Sequence, residues 1–103
     1  MKKSLSLLAA LGLGLAAMPA LANLELAQKN GCTACHSVDK KLVGPAYKDV
    51  ANKYRGDAKA QAQLEEEVKK GSVGKWGQVP MPPNTQAKDE DVKALVKWVL
   101  SLK

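Results

Sequence analysis

Three stretches of the chain repeat apolar residues at the spacing of an α-helix. Tyr47, Val50, Ala51 and Tyr54 fall at i, i+3, i+4 and i+7, which stacks them on one face. Leu64 and Val68 lie one turn apart in an otherwise polar segment. Val92, Leu95, Val96 and Val99 form a third stripe, with Trp98 beside it. These patterns predict helices over about 46–55, 58–70 and 89–102. Pro45 suits the first turn of the earliest of them and Gly56 its end, while Gly71 stops the second. Glu65–Lys69 and Glu66–Lys70 are i,i+4 pairs in the favourable order. Asp89, Glu90 and Asp91 put negative charge at the positive end of the last helix. A shorter helix over about 24–30 is expected ahead of these, capped by Asn23 and followed by Gly31. Ser72 to Lys88 is rich in Gly and Pro and has no period. No segment alternates long enough for a strand, so the fold class is all-α, about four short helices.

The start of the chain carries a different pattern. Lys2 and Lys3 precede an apolar run, Leu5 to Leu15, broken only by Ser6, and Ala20-Leu21-Ala22 supplies the small residues a signal peptidase reads. Residues 1–22 are therefore expected to be a cleaved secretory signal and 23–103 the single mature domain. An uncleaved anchor is the alternative, but the run falls short of the roughly 20 apolar residues that span a bilayer. No later segment is long and apolar enough to span.

Composition sharpens this picture. The chain has 103 residues, 16 basic and 10 acidic. Loss of Lys2 and Lys3 leaves a mature net charge of +4. The lysines are scattered without interleaved aromatics, which argues against nucleic acid and suits an acidic surface on a protein partner. Lys40, Lys41, Lys48 and Lys75 are candidate steering charges, or simply a solvated surface. The chain has no Phe, and a domain this small has a thin core. Its two cysteines are only three residues apart, and a bridge between them would close a very short loop of little stabilising value. Something else must fill the centre.

Gly31-Cys32-Thr33-Ala34-Cys35-His36 contains C-x-x-C-H, the form of a c-type haem attachment site. In a helical turn Cys32 and Cys35 share a face and can form thioethers with the two vinyl groups of one haem. His36, next along, can present an imidazole nitrogen to the iron. Three blander readings compete. A redox-active dithiol usually accompanies a βαβ pattern, which is absent. A zinc site would need a second ligand pair. A plain disulfide would leave His36 on the surface.

The other axial position follows by elimination. His36 is the only histidine, and Met81 is the only methionine left once Met1 and Met18 depart with the signal. Val79-Pro80-Met81-Pro82-Pro83 is stiff, because three prolines fix φ, and such a segment can hold one sulfur at a set point. Met81 could instead be a core filler. A lysine is the rival ligand, but it would first have to lose its proton and hydration.

With these residues in place, the chain resembles the small bacterial class I monohaem cytochromes c of the c-551/c-552 type. The resemblance spans the mature chain: Gly31 to His36, Val43-Gly44-Pro45-Ala46-Tyr47, Gly71 to Gly77 with Trp76, Pro80 to Asn84, and Lys97-Trp98-Val99-Leu100-Ser101. It implies a cytochrome c fold wrapped round one haem c. It also implies that the Pro45 carbonyl accepts a hydrogen bond from His36, that the Trp76 indole N–H reaches a haem propionate, and that Asn84 donates toward the Met81 sulfur. From the residues alone, Trp76 could be ordinary packing and Asn84 an ordinary turn residue. The chain departs from its relatives' pattern in helix three. Glu65-Glu66-Glu67 stand where a basic propionate partner is often found, so none is assigned there. The last helix also lacks a Ser or Thr just before its acidic run, Thr85 being the nearest.

The function expected is that of a periplasmic one-electron carrier, not an enzyme, with His36 and Met81 on the iron. It should act as a monomer with no stable membrane insertion after cleavage, and the resemblance implies that it docks briefly between a membrane cytochrome complex and a nitrite reductase or terminal oxidase. The alternatives are a haem peroxidase or ligand-binding haem protein with a labile Met81, and a haem-free thiol–disulfide protein.

Overall fold

The computed structural model describes residues 19–103. Four α-helices appear in chain order: α1 (Pro19–Lys29), α2 (Tyr47–Lys53), α3 (Ala60–Lys70) and α4 (Asp89–Ser101), with one 3-10 turn at Cys32–Ala34. Among the described residues there is no strand, only isolated bridges between His36 and Lys41 and between Ser72 and Met81. The positive start and the apolar run of the expected signal, with Met1 and Met18, lie outside the described residues.

Two helix starts differ from the pattern-based expectation. Asn23 is not a cap, because α1 begins at Pro19 and runs through it. Pro is favoured at a first helical position, and Ala and Leu then continue the helix readily. Pro45 lies before α2 and not in its first turn; Ala46, extended at ψ 144, is the cap. The loop after His36 takes over part of the capping. Tyr47 N–H donates to Ser37 O at 2.9 Å and Lys48 N–H to Val38 O at 3.1 Å. These bonds satisfy two donors that a helix start leaves without partners and tie α2 to the histidine segment. Among the i,i+4 pairs, Glu66–Lys70 forms at 3.1 Å. Lys69 reaches instead to Asp89 at 2.8 Å, and Glu65 accepts from Gln61. The α3–α4 approach thus offers Lys69 a partner beyond its own helix.

α4 packs against the other three helices. Its Leu95, Trp98 and Val99 meet Tyr47, Val50 and Tyr54 of the α2 region, Ala60 of α3 and Ala27 of α1 in one buried cluster. The first and last stripes read from the sequence therefore supply most of this core. Ala27 and Ala60 are wholly buried, and their small side chains let α1 and α3 lie close to α4. Leu64 and Val68 are only half-buried: both line a cavity, and Leu64 also packs against the core cluster.

Candidate haem site

That cavity has a volume of about 430 Å³, within the range of ligand pockets. Its lining includes all seven residues singled out from the sequence: Cys32, Cys35, His36, Pro45, Trp76, Met81 and Asn84. Leu64, Val68, Leu95, Val96 and Val99 supply much of its apolar wall. Val43, Val73 and Val79 also line it and are well exposed, an arrangement that calls for a large apolar group among them.

The attachment motif is built on a tight turn. Gly31 adopts φ 76, a left-handed conformation that glycine takes without strain. Cys35 N–H and His36 N–H then both donate to Cys32 O, at 3.2 and 3.0 Å. No bond joins the two sulfurs to each other, so each is available for a thioether to haem. Burial pushes the Cys32 thiol up from its ordinary value, so it favours the protonated form.

His36 is held from three sides. Its Nδ1–H donates to Pro45 O at 2.8 Å, so in the neutral imidazole the free lone pair is on Nε2. Its ring stacks on Tyr47 at 5.0 Å between centroids, and Tyr47 meets Trp98 edge-on at 5.6 Å. The α2 stripe thus positions the imidazole as well as filling the core. Gly44 closes the third side: a Cβ there would lie 2.5 Å from His36 Cε1. Gly44 N–H donates to Cys35 O at 2.8 Å, drawing the loop back over the motif.

Met81 comes from the proline-rich stretch and is fixed by its own backbone. Met81 N–H donates to Ser72 O at 2.7 Å, and Ser72 N–H to Met81 O at 3.0 Å. Gly71 makes the approach possible, with φ +87 and its open side 2.8 Å from Met81 O. Asn84 N–H donates to Val68 O at 2.8 Å. The Asn84 side chain donates through Nδ2 to Asn30 O and accepts through Oδ1 from Gln86 and Ala87 N–H. It therefore also serves as the turn residue leading into α4. Trp76 is part-exposed, with Lys53 Nζ 4.7 Å from its ring centroid. Tyr47, Gly44, Gly71 and Ser72 carry positioning roles that helical periodicity could not reveal; the glycines beside Pro45 and before Ser72 were the available signal.

A model of the cytochrome c family matches residues 15–103. The chain belongs to the cytochrome c family. Cytochrome c-551 of Allochromatium vinosum is 65% identical over 83 residues, spanning 81% of this chain and 88% of that protein. Cytochrome c-551 of Stutzerimonas stutzeri is 50% identical over 105 aligned positions, covering both chains in full. The crystal structure of Nitrosomonas europaea cytochrome c552 superposes with a TM-score of 0.76 at 52% identity, covering 78% of this chain and 99% of that one. This cytochrome c is accordingly a small class I monohaem protein and an electron carrier, not an enzyme. One haem c is bound covalently through Cys32 and Cys35, and the cavity they line has the apolar walls that a macrocycle needs.

Proposed function

We propose that residues 23–103, freed of a signal at 1–22, work in the periplasm as a soluble one-electron carrier whose haem iron is held by His36 and Met81. The observation that carries this reading is the His36 Nδ1–H to Pro45 O bond of 2.8 Å. It commits Nδ1 as a donor, so that Nε2 is the nitrogen able to bind iron in the cavity that Met81 also lines. Haem c supplies a one-electron couple there. The protein's part is to keep both axial donors in place, so that little rearranges on electron transfer and no open position remains for a substrate. A thioether opposite an imidazole favours the ferrous state and raises the potential, and the Pro45 bond strengthens His36 as a donor. The second Nδ2 hydrogen of Asn84 is assigned to the Met81 sulfur and the Trp76 indole N–H to a propionate. Partners dock briefly through an interface below about 1,200 Å².

The ferric protein should show the weak far-red charge-transfer band of a Met-ligated haem. Met81→Ala should lose that band, drop in potential and bind carbon monoxide in the ferrous state, which the parent should resist. A parent that binds carbon monoxide rapidly and fully would favour the ligand-binding alternative. Intact mass of the exported protein should equal residues 23–103 plus one haem.

A further inference from the structure

The cavity lining contains one carboxylate and one ammonium, Glu67 of α3 and Lys75 of the following loop, and they are paired with each other. We propose that Lys75 is the cation that faces the haem propionates at the cavity rim, with Glu67 as the paired anion whose charge it offsets there. This rests on the haem being seated with its iron between His36 and Met81.

Haem brings two carboxylates to a largely apolar cavity, and such groups need charged or hydrogen-bonding partners. Helix three offers no cation to the cavity. Its own lining charge, Glu67, has the propionates' sign and a side chain only 17% exposed. A bare carboxylate there would repel them. The Lys75 ammonium offsets it, and an ammonium has three donors, of which Glu67 takes one. The hydrogen bond to Glu67 raises the Lys75 pKa above the ordinary lysine value, so its charge persists through the neutral range. The next residue, Trp76, lines the same cavity and lies beneath Lys53 Nζ. From the α2 side, Lys53 approaches Trp76 and also lies 5.9 Å from the Tyr54 ring centroid, though neither Lys53 nor Tyr54 lines the cavity. Tyr47 lies deeper, its hydroxyl held neutral by burial. The residues that α4 adds to the lining, Leu95, Val96 and Val99, are all apolar.

The test uses the holoprotein and reads the reduction potential against pH, together with propionate resonances in the NMR spectrum. Lys75→Gln removes the cation and leaves Glu67 unopposed. The potential should fall, and the propionate titration should move up by about one unit. Glu67→Gln should move both in the opposite direction, and the double variant should return close to the parent. Lys40→Gln, at an exposed lysine outside the lining, should shift the titration far less. The proposal is overturned if Lys75→Gln leaves the propionate titration unmoved. It is equally overturned if the two single variants shift it the same way, or if Lys40→Gln matches Lys75→Gln. Absence of the far-red band in the parent would sink the Met81 assignment alone, and the propionate shift would still decide for or against Lys75.

Discussion

Gly44 has an ordinary backbone, yet no side chain fits there, because His36 occupies the space a Cβ would need. Gly44→Ala must push the imidazole off its Pro45 bond or shift the loop. A loss of about 1–3 kcal/mol is expected, as for other overpacked sites, read as a lower denaturant midpoint with an altered haem spectrum. Trp98 presents the opposite case. Its ring is core, but its Nε1–H is buried without a hydrogen-bond partner among the described residues. Phe at this position removes that orphan donor while keeping most of the ring. Trp98→Phe should therefore cost less than about 1.5 kcal/mol, measured by guanidinium unfolding. At this scale the sequence was most legible where chemistry demands one residue type. Cys32, Cys35 and His36 stood out by motif, and Met81 as the only methionine within 23–103. Tyr47 was read only as an apolar stripe member, since stacking on a histidine eleven residues earlier leaves no periodic trace.

At the scale of elements, three helices were legible because they bury a face at regular spacing. Their ends were less so. α2 begins one residue after Ala46, since Ser37 and Val38 carbonyls accept its first N–H groups. No local residue could announce that partnership. The Gly- and Pro-rich stretch from 72 to 88 gave no period, and the structure explains why: its order comes from cross-chain backbone bonds. Ser72 pairs with Met81, and Asn84 with Val68. Gly71 turns α3 into this pairing with φ +87. Gly71→Ala is expected to destabilise the domain by more than about 1 kcal/mol, because the native φ is unfavourable for Ala, and to place a methyl against Met81 O. The far-red band of the ferric protein should then be lost at a lower temperature than in the parent, which spectral melting would reveal.

Among the described residues, four helices form a thin shell round a cavity. The surface charge also differs from a plain count of lysines. Lys48 pairs with Asp39 at 2.6 Å and Lys75 with Glu67, whereas Lys40 and Lys41 are exposed. Steering by a chain of net positive charge should be screened by salt, with a Debye length of about 10 Å at 0.1 M. Electron-transfer rates with an acidic redox partner should fall as ionic strength rises, and Lys40→Gln with Lys41→Gln should flatten that dependence in stopped-flow measurements. By itself the sequence determined the helical class, the attachment motif and the two axial candidates, because periodicity and residue scarcity are local or countable properties. Only the tertiary structure decided which groups share the cavity: the Pro45 carbonyl on His36, the Ser72 clasp on Met81, and a lysine from a loop set against a glutamate of helix three. Such pairings depend on distances between segments far apart in the chain, and those distances exist only once the helices have packed.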